Sequence, residues 1–166
     1  YLVAFIASEL VSYETKSRHG VKITAYATPA QNVSDLKIGG DFAADVLDYY
    51  DDLFKVPYPL PKLDLVAIPD FDAGAMENWG LMTFREVAML ANEKSSTEQK
   101  IYISTVIAHE ISHMWFGDLV TMKWWDDLWL NESFANTMEL YATAKVRPEY
   151  DAWDDFYTGT VQLALR

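Results

Sequence analysis

The sequence predicts an α+β domain. Two observations carry that reading. Period-two apolar alternation belongs to the first part of the chain, while long helical stripes and aromatic clusters fill the second, so strands come first and helices after. With 166 residues, 51% of them apolar and 23% charged, the chain is long enough for one domain with a real core, and its composition is globular.

Residues 1–13 alternate loosely (Leu2, Ala4, Ile6, then Leu10), and residues 21–27 continue with Ile23, Ala25 and Ala27 on one face. Both read as strands, joined by the polar turn Lys16-Ser17-Arg18-His19-Gly20, in which His19 is expected to be solvated. Gly39-Gly40-Asp41 then reads as the start of a helix, with Asp41 as N-cap and Phe42, Val46, Leu47, Tyr50 and Phe54 as its stripe. Pro57, Pro59 and Pro61 end it. The Asp48–Asp52 stretch reads as a solvated acidic face. Residues 63–68 form a short apolar run closed by Pro69, as expected of a buried strand. Residues 70–80 read as a loop or edge strand centred on Gly74-Ala75-Met76-Glu77-Asn78, and residues 81–84 resume an extended segment. Ser95-Ser96-Thr97-Glu98 resembles a capping box opening a helix over residues 97–116, with Gly117 as C-cap. Asp126 or Asp127 is expected to cap the next helix, which runs to about Lys145, and a last helix should cover residues 150–165. Core packing is the reading for Trp115, Trp124, Trp125 and Trp129, one of which could border a cleft.

Composition narrows function. No apolar run reaches the about 18 residues of a membrane span, and the opening residues lack the pattern of a signal peptide. A net charge of −12 argues against nucleic acid and anionic membranes and suits a cationic ligand such as a free amino terminus. Absence of cysteine permits a reducing compartment, and cytoplasmic location is the expectation, with the ectodomain of an anchored parent as the other possibility.

The densest signal is His109-Glu110-Ile111-Ser112-His113, which holds two of the chain's three histidines. Residues four apart on a helix share a face, because four steps of about 100° nearly complete a turn. Both imidazoles can therefore grip one ion, with Glu110 beside them as general base: the H-E-x-x-H zinc pattern. Such a site needs a third protein ligand and an open position. Glu132 stands 19 residues after His113, on the next predicted helix, and a turn with an antiparallel return brings it to face the first. One zinc ion per chain is expected, held by His109, His113 and Glu132.

Three segments now stand together: Gly74-Ala75-Met76-Glu77-Asn78, the histidine motif, and Trp125-Asp126-Asp127-Leu128-Trp129-Leu130-Asn131-Glu132. With the flanks Trp115-Phe116-Gly117 and Tyr1-Leu2-Val3-Ala4-Phe5, they resemble the aminopeptidase N family of zinc metallopeptidases, whose catalytic domain is thermolysin-like. The resemblance spans essentially the whole chain. It implies a single partial catalytic domain over residues 1–166, sheet-rich to about residue 95 and then zinc-binding helices, incomplete at its C-terminal end. It implies peptide binding by Gly74, Ala75, Met76, Glu77 and Asn78, with Gly74 and Ala75 offering backbone hydrogen bonds and Glu77 holding the substrate's α-ammonium. It also implies that Glu139 supports a ligating histidine. Met114 and Ser133 depart from the Gln and Gly of many members. The family's transition-state tyrosine would lie beyond Arg166, and its N-terminal β domain and C-terminal helical domain are not in the chain.

The activity so implied is removal of N-terminal residues from peptides. A protonated α-amine exists only at a chain's start, and one charge-assisted contact from Glu77 is worth about 1.5–3 kcal/mol of discrimination. Three rivals stand beside this: a thermolysin-type endopeptidase, which needs no amine anchor; the family's epoxide-hydrolysing branch, which typically has Gly where Ala75 stands; and a zinc-binding fragment without catalysis.

Overall fold

A computed structural model describes residues 3–162. It is a mixed α+β architecture: a five-stranded sheet with helices layered on one another beside it. In chain order the elements are β1 (Val11–Lys16), β2 (Lys22–Ala27), α1 (Ser34–Phe54), β3 (Lys62–Ile68), β4 (Ala75–Met76), β5 (Leu81–Arg85), α2 (Thr97–His113), α3 (Trp129–Val146) and α4 (Ala152–Phe156). Short 3-10 turns precede α2, α3 and α4.

The sheet order is β1-β2-β3-β5-β4, parallel at its centre and antiparallel at both edges. Alternation sets the packed face: Ile23, Ala25 and Ala27 of β2 and Leu63, Leu65 and Ala67 of β3 are almost wholly buried. Each large side chain so buried contributes about 1.5–3 kcal/mol of transfer free energy. Helix α1 covers this surface with Phe42, Val46, Leu47 and Tyr50, α2 packs on α1, and α3 packs on α2. Helix α2 is therefore an inner helix, and its last two turns are enclosed on nearly every side. The Tyr50 hydroxyl, fully buried, donates to the carbonyl of Ala108 at 3.0 Å and ties α1 to α2 beside the histidine motif.

Several expected boundaries move. The first strand begins at Val11, where pairing with Ala27 starts, and among the described residues the alternation before it has no partner strand: Val3 and Phe5 are exposed. Residues 1–2, and the expected end of the last helix at residue 165, lie outside the described residues.

Helix α1 starts at Ser34, seven residues before Asp41. Gly39 and Gly40 sit inside it because neighbours press on the helix there. A Cβ at Gly39 would stand 3.1 Å from the Met89 carbonyl oxygen, and one at Gly40 3.0 Å from the Tyr13 ring. Asp41 caps nothing and instead accepts from the Tyr13 hydroxyl at 2.7 Å.

Helix α2 begins where expected, with Ser96 Oγ accepting from the Gln99 N–H at 3.2 Å, but stops at His113. Asp126 and Asp127 lie in a 3-10 turn ahead of α3 and do not cap it. The last helix is divided by Asp151 at φ 47 from the turn before it, and α4 gives way to a π-helical turn at Tyr157–Val161. Of the four tryptophans assigned to the core, only Trp115 is there, with Nε1 donating to the Val56 carbonyl at 2.8 Å. Trp124 and Trp125, on the chain joining α2 to α3, and Trp129, on the first turn of α3, are exposed, since no described element covers them.

Candidate metal centre

Helix geometry alone brings the two histidines of α2 together: their Nε2 atoms are 3.0 Å apart. Helix α3 returns antiparallel against α2 and sets Glu132 Oε2 at 3.3 Å from His109 Nε2 and 3.8 Å from His113 Nε2. Two donors at about 2.0–2.1 Å from a tetrahedral zinc ion stand about 3.3–3.4 Å from each other. The three separations bracket that value, so this donor set fits such an ion with small side-chain adjustments.

Each imidazole is oriented through its other nitrogen. Glu139 Oε2 lies 2.8 Å from His109 Nδ1. His113 Nδ1 lies 2.9 Å from the Phe116 carbonyl and 3.1 Å from Asn131 Oδ1. Acceptors at both Nδ1 atoms fix the proton there and leave Nε2 free to ligate. The chain reversal past α2 is part of this arrangement. Gly117 has φ +137, and a Cβ on it would fall 2.3 Å from Asn131 Oδ1. The sequence reading passed over Asn131 and the Phe116 carbonyl as partners of His113. Asn131's place immediately before Glu132 was the available signal.

Burial shapes the electrostatics. Glu110 is 6% exposed, its Oε2 has no hydrogen-bond partner, and burial raises its pKa to about 8 despite the attraction of His109. For His109, burial opposes the charged form but is outweighed by hydrogen bonds to Glu132 and Glu139, which raise its pKa to about 10. The same His109 hydrogen bond holds Glu132 below the usual carboxylate range, against burial. Just past α2, both carboxylate oxygens of Asp118 are buried without a partner. Burial, with the nearby charge of Glu77, raises its pKa to about 8.

The Gly74–Asn78 segment flanks this centre. Ala75 and Met76 form β4, an edge strand paired antiparallel to Phe84 and Thr83 of β5. The Gly74 carbonyl accepts from the Arg85 N–H at 2.9 Å, while the Arg85 guanidinium holds the carbonyls of Phe71 and Asp72. A Cβ at Gly74 would meet nothing within 4 Å, so its backbone is open to approach. The Asn78 amide donates to Thr83 Oγ1 at 3.3 Å and turns into the sheet, unlike its neighbour. Glu77 leaves the strand towards α2, where its carboxylate lies within 4.8 Å of donor atoms of Glu110 and His113. Beside Glu77 and Glu132 opens a cavity of about 440 Å³ walled by Met76, Met122, Trp124, Trp125 and Leu128. Among the described residues no helix is long and apolar enough to cross a membrane.

A model of the peptidase family M1 domain matches residues 40–166. Aminopeptidase N of Lactococcus lactis subsp. cremoris is 48% identical over 99% of the chain, and that of Lactobacillus delbrueckii subsp. lactis is 46% identical over the same share. Human endoplasmic reticulum aminopeptidase 1 is 51% identical over 95% of the chain. The chain spans 20% of the length of the two bacterial relatives and 17% of the human one.

Proposed function

The chain belongs to peptidase family M1, and from that premise we propose that it carries the zinc-binding core of an aminopeptidase that removes N-terminal residues from peptides. The observation that carries the reading is one cluster. His109, His113 and Glu132 converge at ligand spacing, with an unpartnered Glu110 oxygen and the Glu77 carboxylate beside them.

In this reading His109 Nε2, His113 Nε2 and Glu132 Oε2 hold the zinc ion, with Glu139, Asn131 and the Phe116 carbonyl keeping the rings in place. Zinc, when bound, supplies Lewis acidity, polarising a carbonyl and lowering the pKa of a water towards about 7. Glu110 Oε2 accepts the proton of the attacking water and returns it to the nitrogen of the departing amine. Glu77 pairs with the α-ammonium and sets the scissile bond one residue from the chain's start. The Gly74–Ala75 backbone, on the sheet edge, offers hydrogen bonds to the peptide.

The sheet followed by an antiparallel ligand-bearing helix pair supports a thermolysin-like, partial catalytic domain. In this reading the sheet-rich part runs to about residue 95 and the zinc-binding helices follow from about residue 96. The greater length of the relatives supports a parent that adds an N-terminal β domain and a C-terminal helical domain. One relative's name places it in the endoplasmic reticulum while others are bacterial aminopeptidases, so similarity assigns no compartment.

The test is hydrolysis of one short peptide, free or acetylated at its amino terminus, by the zinc-loaded chain, with products read by mass. Single residues released from the free peptide alone are expected. Internal cuts in both peptides would overturn the role of Glu77. One zinc bound with no turnover would assign the chemistry to the longer parent.

A further inference from the structure

We propose that Glu77 and Glu110 form a second divalent-cation position beside the first, which fills when metal is in excess and blocks the reaction. The inference rests on the aminopeptidase reading above.

A carboxylate oxygen of Glu77, one of Glu110 and a ring nitrogen of His113 lie within 4.8 Å of one another, a grouping that shares only His113 with that of His109, His113 and Glu132. Glu110 is 94% buried and its Oε2 lacks a hydrogen-bond partner. A buried, unpartnered carboxylate oxygen is costly, and a cation beside it removes that cost. His113 Nδ1 is already engaged by Phe116 and Asn131, so Nε2 is the nitrogen common to both groups.

One imidazole nitrogen binds one ion. With the first position filled, a second ion has the two carboxylates and water as ligands. That oxygen-rich set suits manganese better than zinc. Charge permits it too: a divalent ion with Glu132 sums to one positive charge, and Glu77 with Glu110 bring two negative ones.

An ion there takes the oxygens that hold the α-ammonium and carry the proton. Excess metal and the substrate's free amino terminus thus compete for one pair of carboxylates, and inhibition by metal is competitive with peptide.

The experiment loads the chain with one equivalent of Zn²⁺ and titrates Mn²⁺. Bound manganese is counted by loss of the free-ion electron paramagnetic resonance signal, in the native sequence and in Glu77→Gln and Glu110→Gln. One Mn²⁺ per chain is expected, bound at least tenfold more weakly in either variant, with zinc content unchanged. Equal manganese binding in both variants would overturn the proposal and point to surface acids such as Asp48 and Asp52. So would no manganese binding, or release of zinc as manganese enters, which means a single shared position. A chain that never retains the first zinc overturns the metal-centre reading itself, and this inference with it.

Discussion

Helices α2 and α3 each deliver candidate ligands, but from opposite environments. At the end of α2, His113 is 1% and Glu110 6% exposed; at the start of α3, Trp129 is 60% and the Glu132 side chain 47% exposed. The enclosed end fixes ring orientation and moves pKa values, because a low-dielectric surrounding strengthens every polar contact and penalises every unpaired charge. The open end supplies a candidate ligand that can adjust, on a surface whose apolar residues lie bare. The division suits a centre whose histidines are held rigidly while its third ligand and its substrate side remain accessible.

The largest effect that sharpens this contrast is on pH. The folded, metal-free chain holds a proton on His109 up to about pH 10, and an incoming ion must displace it. Zinc affinity should therefore rise about tenfold per pH unit, some ~100-fold from pH 7 to pH 9, before levelling above about 10. Calorimetric zinc titrations across that range check it, and a flat profile would show that the hydrogen bonds to Glu132 and Glu139 do not hold a proton on His109. The sign for folding is opposite. A histidine whose pKa is raised from 6.5 to about 10 contributes stability that is complete below about 6.5 and lost as pH climbs through about 10.

Asn131→Ala should follow, with zinc affinity reduced about 10–100-fold, because His113 Nδ1 loses one of its two acceptors. Competition with a chelating dye measures it. An unchanged affinity would assign the orientation of that ring to the Phe116 carbonyl alone.

A smaller effect separates the helices directly. His113→Ala should lower metal-free stability by about 2 kcal/mol through a cavity and lost buried hydrogen bonds. Glu132→Ala, half exposed, should cost under about 1 kcal/mol. Urea denaturation of both variants compares them, and equal losses would erase the distinction.

The smallest effect lies just past α2. Asp118→Asn should stabilise the metal-free fold by about 1 kcal/mol at pH 9, a value scaled down because the residue is only partly buried. The wild-type carboxyl, raised from 3.8 to about 8, contributes stability below about pH 4 that is lost as pH rises through about 8, so the gain should vanish in acid.

Most of the fold was legible where a signal is local. The alternation in residues 21–27 and 63–68, the Ser96 cap and the prolines after α1 act within a few residues, and the elements they mark appear within a few positions. Gly39 and Gly40 misled for a physical reason. Glycine reads as a break when only its own chain is considered, yet here it is what allows Tyr13, Met89 and Ile107 to approach the helix. The tryptophans misled likewise: large apolar side chains signal burial, but Trp124 and Trp125 fall on the connection between α2 and α3 and Trp129 on the first turn of α3, where no described element covers them.

For the candidate centre, the sequence by itself determined that His109 and His113 share a face four residues apart, with Glu110 between them and a carboxylate 19 residues on. Helical periodicity is a property of the backbone and needs no distant contact. Only the tertiary structure decided which acceptor faces which ring nitrogen, that Gly117 must yield space to Asn131, and that Glu77 stands across from Glu110. Those relations join residues 14 to 33 positions apart through the packing of β4, α2 and α3, and the chain acquires them only when its apolar faces are buried together.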